Sequence, residues 1–373
     1  MKFQIDRDLL LKELALLVEV IEAKTMLATP ASLLLEVADN HLILSAHGFT
    51  NSLCCQVGAF VSAEGRVCLP LRKLFEIVRH LPKVPINFLA TPEGVTVKCS
   101  GSRFRLNTTP TENFPATPQA EEFTLALPGE TLASMIRTTL FAASKQPQPG
   151  NYALEGANFT IDPDGARMVA TDGHRMMCVE RPDVTHPAVI SFLIPKASLG
   201  VIAKLLDVTD GEVRLQPEEN CLFFQTEQRR FACTLLTGKY PDVETLLQQE
   251  YEQSLTFDGA EFSAAVARMA IFGAEGTEQN FGLIEFLLTP ETCELAGANQ
   301  HGSESHEEVT PIAPVISENT TITFNGRFLQ DFARTISTSP LTIRFNDANS
   351  SVEFCPEENG GLHCRYILMP CRM

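Results

Sequence analysis

Apolar positions along the chain repeat three times at one spacing. Phe3, Leu10 and Leu14 stand at offsets 0, 7 and 11 in "FQIDRDLLLKEL". Leu125, Leu132 and Ile136 keep those offsets in "LALPGETLASMI", and Leu255, Phe262 and Val266 keep them in "LTFDGAEFSAAV". Offsets of 7 and 11 return to one face of an α-helix, so each segment predicts a short extended piece running into an amphipathic helix. A second helix is predicted in each repeat, within "VCLPLRKLFEIVRHL", "FLIPKASLGVIAKLL" and "ITFNGRFLQDFARTI". Pro70, Pro195 and Asn325 stand where these helices would begin, and Leu74, Leu199 and Leu329 follow four residues later. The distance from repeat start to helix start is 67, 70 and 70 residues, so the register holds.

Each repeat closes on a strand: "SRFRLNTTP", "RRFACTLLTG" and "CRYILMPCRM", with Phe104, Phe231 and Tyr366 directly after an Arg. Runs such as "LILSA", "RMVAT" and "EFLLT" predict further strands between the helices. The expectation is an α+β protein of three tandem copies of one domain, two helices plus antiparallel sheets each, at 1–120, 121–250 and 251–373. "TPTENFPATPQAEE" has the Pro, Thr and acid content of a linker, whereas the second border, near "TLLQQEYEQS", is less sharply marked.

Composition narrows the function. With 373 residues, 44% of them hydrophobic, the chain can fill two or three cores. Its net charge of −17 argues against a surface that grips nucleic acid all round. The charge is uneven, however: the six predicted helical stretches sum to +2, which leaves −19 on the rest. Near-neutral helices on an acidic body suit weak phosphate contact from one side, or else plain solvated helix faces. The eleven Cys are odd in number and lack any CxxC pair, as expected of reduced thiols in a cytoplasmic protein. "MKFQIDRDLL" does not read as a signal peptide, and the longest apolar run, "LALLVEVI", is interrupted by Glu19.

Two stretches carry candidate chemistry. "MVATDGHRMMCVE" brings Asp172, His174 and Arg175 together, as acid–base catalysis would, but Asp-Gly between two apolar runs is equally a tight turn. "HGSESHEE" offers His301, His306, Glu307 and Glu308 as metal ligands. Its HxxxxH spacing does not put both rings on one helical face, and its Ser, Gly and Glu predict an exposed loop, so no metal or other cofactor is expected. No GxSxG elbow and no Gly-rich phosphate loop occurs, which argues against a serine hydrolase or an ATPase.

Three tandem copies, "VATDGHR" in the second, "GKYPD" closing it and a terminal "YILMPCRM" together resemble the bacterial DNA sliding clamp family, the β subunit of the replicative polymerase. The similarity runs from the first residue to the last. It implies a non-catalytic processivity factor: a head-to-tail homodimer whose six domains close a ring around duplex DNA, helices inside and sheets outside. Polymerases, the clamp loader and repair proteins would dock short linear motifs in a surface pocket between the second and third domains. Carried over by motif, that pocket comprises Leu154, Thr171, Gly173, His174, Arg175 and Met176 from the second repeat. Pro241, Thr245 and Leu246 follow from the segment after it, and Ser351, Ile367, Met369, Pro370, Cys371, Arg372 and Met373 from the third. DNA-contacting positions fall on Lys24, Arg79, Gln148, Tyr152, Lys196 and Lys204. Dimer closure falls on Phe104 and Leu106 of an edge strand, against Ile271 and Phe272 of a third-domain helix.

The sequence departs from the family pattern in places. Val243-Glu244-Thr245 stands where a basic pair is usual after "GKYPD", and Cys371 and Met373 replace the Met and Leu of a terminal "MPMRL". These changes bear on motif preference. They also leave room for a specialised paralogue, inhibitor-tolerant or decoy, or a peptide-binding scaffold that never encircles DNA.

Overall fold

The computed structural model describes residues 1–21, 32–145, 152–273, 282–298, 304–336 and 339–372. Six long helices form at the expected places: α1 (Arg7–Val20), α2 (Leu71–His80), α3 (Gly129–Thr139), α4 (Lys196–Leu206), α6 (Gly259–Gly273) and α7 (Gly326–Ala333); a single turn, α5 (Glu244–Leu247), lies between α4 and α6. Asp6 caps α1 by accepting from the backbone N–H groups of Asp8 and Leu9, and Asn325 caps α7 through Arg327 N–H. All nine residues of the threefold spacing are buried, none more than 2% exposed. Leu74, Leu199 and Leu329 are buried with them.

The chain divides into two compact units: 1–130 with 200–235, and 131–199 with 236–373. Each unit holds two antiparallel sheets. In the first they have five and eight strands; in the second, nine and four. The larger sheet of each unit is continuous across a repeat border. Arg229–Thr234, which closes the second repeat, pairs with Asn51–Gly58 of the first. His363–Leu368, which closes the third, pairs with Arg175–Arg181 of the second.

The register is the same at both borders. One cross-strand row runs Leu69, Leu33, Ala46, Leu53, Phe231. Its counterpart runs Ile194, Ala157, Ala170, Met177, Tyr366. In the four-stranded sheet the row runs Phe324, Ile284, Gly297, Ser305 and stops there, because Glu304–Val309 is the outermost strand. The first repeat's closing strand, Ser102–Leu106, is likewise outermost in the five-stranded sheet. Burial follows: Phe231 and Tyr366 lie inside continuous sheets, whereas Phe104, their counterpart, is 37% exposed.

"HGSESHEE" is not the exposed loop expected. Glu304–Val309 is a strand, its Glu304, His306 and Glu308 exposed and Val309 buried. The period of two was hidden because the buried face carries Ser305 and Glu307 before its first apolar residue. Glu307 accepts two bonds from the Arg268 guanidinium of α6, at 2.6 and 2.8 Å, which holds its carboxyl below the usual range. His306 Nε2 lies 3.5 Å from Glu294 Oε2. His301 lies outside the described residues.

A buried ion pair ties the first border. Arg229 Nε donates to Glu13 Oε2 at 2.9 Å, Nη2 donates to Oε1, and both side chains are nearly inaccessible. Removing one partner strands the other charge, which costs far more than the intact pair contributes. We expect Glu13→Ala to lower the unfolding free energy by about 3–5 kcal/mol in denaturant titration, and Glu13→Ala with Arg229→Met to recover most of that loss.

Candidate functional site

Thr171, which ends the Gly165–Thr171 strand, and Arg175, which opens the next, bracket a turn closed by its own side chains. Asp172 Oδ1 accepts from His174 N–H at 3.1 Å and from Arg175 N–H at 3.2 Å. Thr171 Oγ1 donates to Arg175 O at 2.6 Å and accepts from Gly173 N–H. Gly173 sits at φ +90°, a conformation that side chains rarely adopt. This Asp is a turn-former of the Asx type. His174 O in turn accepts from Met369 N–H at 3.0 Å, pinning the C-terminal segment beside the turn.

Arg175 does not face out of the turn. Its buried guanidinium donates to Asp172 Oδ2, to Asp331 Oδ2 of α7 and to Phe141 O, each at 2.9 Å. It also stacks 4.3 Å from the Phe328 ring centroid and 5.4 Å from that of Phe141. Tyr366, stacked on Phe332 at 4.6 Å, donates to Phe328 O beneath it. Such a group builds the wall of a site rather than reacting in it.

Beside the turn the outer sheet face is apolar. Val169, Met176, Cys178, Leu247 and Ile367 form a buried cluster, and half-buried Tyr240, Val243 and Leu246 pack over it. Tyr240 donates to Val169 O at 3.1 Å, and burial pushes its hydroxyl pKa up. α5 is held as a wall by two struts. Arg167 donates to Glu244 Oε1 at 2.6 Å, and Arg365, itself bonded to buried Glu353, donates to Leu247 O at 2.7 Å.

Of the expected pocket residues, Met176, Leu246 and Ile367 belong to this cluster. Thr171, Gly173 and His174 form the adjoining turn. Met369 is exposed, Pro370 and Cys371 are half-buried and Arg372 is exposed; Cys371 N–H donates to Thr323 O at 2.8 Å. Pro241 and Thr245 are exposed on the segment carrying α5. Leu154 is buried, and Ser351 is buried on Gln249 Oε1. Met373 lies outside the described residues. Sequence reasoning missed Val169, Cys178, Tyr240, Val243 and Leu247. Two of them were legible, because Val169 and Cys178 lie two residues from Thr171 and Met176 on the same strand faces.

The residues assigned to DNA fall in both units. Arg79 is exposed, 3.5 Å from Glu76, and Lys204 is ion-paired to Glu19 at 2.8 Å. Tyr152 is 58% exposed. Lys196 donates to Ala143 O at 2.6 Å; burial, then the charges of Lys145 and Arg175, pull its ammonium down to about 8 against the opposing pull of Asp172 and Asp331. Lys24 and Gln148 lie outside the described residues. At the expected dimer contact, Ile271 is 67% exposed and Phe104 partly so, Leu106 is buried in its own sheet, and Phe272 stands in the last turn of α6.

Comparison with known proteins settles the family. Models of the N-terminal, central and C-terminal domains of the DNA polymerase III beta subunit match residues 1–118, 126–242 and 244–372. The chain belongs to this family. Its members are sliding clamps, non-catalytic processivity subunits of the replicative DNA polymerase. The beta sliding clamp of Pseudomonas aeruginosa is 29% identical over 379 residues and that of Escherichia coli K12 is 27% identical over 376, each over the full length of both chains. Among solved structures, the Pseudomonas aeruginosa clamp superposes with a TM-score of 0.88 at 28% identity over all of both chains. A structure of that clamp bound to griselimycin gives the same figures. The Bacillus subtilis clamp, at 20% identity, shares the fold with a TM-score of 0.90 over all of this chain and 99% of its own. Three tandem clamp domains of helices and antiparallel sheets are therefore the architecture here. No group of His, Cys, Asp or Glu among the described residues could hold a metal, and no described helix is long and apolar enough to cross a membrane.

The Lys196 environment gives a test of its own. Its folded-state pKa is depressed, so the folded protein holds this proton less tightly than the unfolded chain, and the group's unfavourable contribution is relieved as pH rises above about 8. NMR titration of the Lys196 side chain should show a midpoint near 8, moving upward in Lys145→Gln.

Proposed function

We propose that the chain acts as a ring-shaped homodimer that encircles duplex DNA and tethers replication and repair proteins to it. The observation that carries this is two of the outermost strands, Ser102–Leu106 and Glu304–Val309. Both internal borders join a repeat's closing strand to the fourth strand of the repeat before it. Ser102–Leu106 is the closing strand, and Glu304–Val309 the fourth strand, left over. Head-to-tail pairing of two copies joins them in the same way, twice, and a heterologous contact that closes gives a ring.

The internal rows also supply a register. Phe231 opposite Leu53 and Tyr366 opposite Met177 make Phe104 the partner of Ser305 in the second copy, with Arg105 opposite Glu304 and Arg103 opposite His306. Phe104 then lies on the sheet face that carries α6, the helix of exposed Ile271. On the other face Arg105 meets the Glu304 carboxylate. Arg105, bonded to Glu93 at 2.9 Å within its own chain, has a second carboxylate in reach.

The pocket follows the same repetition. At the 2–3 border the buried apolar cluster holds Val169, Met176, Cys178 and Ile367, covered by half-buried Tyr240, Val243 and Leu246. The matching positions at the 1–2 border are Ser45, Ser52, Cys54 and Ala232, and at the copy–copy border Ala296, Glu304, His306 and Arg105. One border in three therefore carries a large apolar cluster, and its half-buried cover of Tyr240, Val243 and Leu246, with Thr171–His174, α5 and the 369–372 segment around it, is the surface for a short motif. The clamp loader, the replicative polymerase and other polymerases or repair proteins are the partners for this groove. DNA is held without sequence preference by phosphate contacts from Lys24, Arg79, Gln148, Tyr152, Lys196 and Lys204, and the protein works in the cytoplasm. Borders at 1–120, 121–250 and 251–373 complete the assignment.

Charge reversal tests the ring. Arg105→Glu should convert the dimer to monomers in sedimentation, and Glu304→Arg on top of it should restore the dimer. A chain that is monomeric throughout would favour a peptide-binding scaffold instead. Deleting residues 369–373 removes the Met369–His174 and Cys371–Thr323 bonds and should weaken binding of a fluorescent clamp-binding peptide at least tenfold while the dimer persists; unchanged affinity would refute the groove.

A further inference from the structure

We propose that His306 makes closure of this ring sensitive to pH, through its position opposite Arg103 of the second copy. The proposal rests on the register derived above. On the free edge, among the described residues, every charged neighbour of the imidazole on its sheet face is a carboxylate. Glu294, on the adjacent strand, lies 3.5 Å away. Glu304 and Glu308 stand two residues to either side on the same face. Glu285 lies in the same cross-strand row, beyond Ala296. On the opposite face α6 offers Arg268, which is spent on Glu307. From residue 282 to 318 the sequence has seven Glu and no Lys or Arg.

Joining the second copy changes that. Arg103 arrives directly opposite, with a Cβ separation of about 5 Å, and Arg105 diagonally. Like charges facing across a strand pair destabilise it, so the joined state takes up the His306 proton less readily than the free edge. Protonation and closure then compete by linkage. Because the joined state holds fewer protons, closure is strongest above the imidazole range and weakens as pH falls through about 7 to 6. Two joints per ring allow two protons, so the dimer dissociation constant can rise at most about a hundredfold per pH unit. With the carboxylates offsetting part of the repulsion, a rise of roughly tenfold from pH 8 to pH 6 is expected.

The test is a dilution series of the full chain followed by sedimentation at pH 8 and pH 6, in low salt, with three variants. His306→Gln should remain dimeric and lose the pH dependence, and Arg103→Gln should lose it with the histidine in place. His306→Lys, charged at both pH values, should dimerise weakly at both. Equal pH dependence in wild type and His306→Gln would overturn the proposal, as would a His306→Lys dimer as tight as wild type at pH 8. Monomers at pH 8 in the wild type would overturn the ring itself, and this proposal with it.

Discussion

The backbone hydrogen bonds along the edge of a sheet dominate this molecule. A strand edge presents a row of N–H and C=O groups that must find partners in protein or in water. Here the repeats answer that demand for one another. Asn51–Gly58 is satisfied by a strand some 170 residues later, and Arg175–Arg181 by the last strand of the chain. The sheets that result ignore the repeat borders, and for that reason contacts divide the chain into two compact units although its sequence repeats three times.

Side chains reinforce the two internal borders differently. At the first, a buried carboxylate–guanidinium pair joins α1 to the closing strand of the second repeat. At the second, Arg175 reaches Asp331 from a turn whose backbone it also helps to close, and two aromatic rings sandwich it. Neither pair is a remnant of the other, because the positions do not correspond between repeats. A repeated backbone plan has been locked by unrelated chemistry at each border, and the Asp-Gly-His-Arg cluster that resembles a catalytic group is one of those locks.

Much of this was legible in the sequence. The offsets of 0, 7 and 11 located α1, α3 and α6, and the Pro or Asn with a Leu four residues on located α2, α4 and α7, because both patterns report which helical face is buried. Glu304–Val309 was not legible. Its buried face carries Ser305 and Glu307, and the ion pair with Arg268 that makes Glu307 acceptable there comes from a helix far away in sequence. Tyr240, Val243 and Leu247 were missed for a similar reason: the segment carrying them has no period of its own, and only its landing on the sheet beside Val169 makes it part of the apolar cluster. The resemblance carried by "TDGHR" and the terminal "MPCRM" identified the family, but the inward turn of Arg175 needed three dimensions.

The two outermost strands differ in more than position. Ser102–Leu106 exposes Arg103 and Arg105, while Glu304–Val309 exposes Glu304 and Glu308. Two copies of the basic strand repel each other, and so do two copies of the acidic one. The two strands therefore carry opposite charge, and each discourages its own kind. An exposed strand edge is ordinarily an invitation to indiscriminate stacking. Opposite charge on two such edges favours unlike over like pairing before any apolar contact forms, much as opposite magnetic poles do.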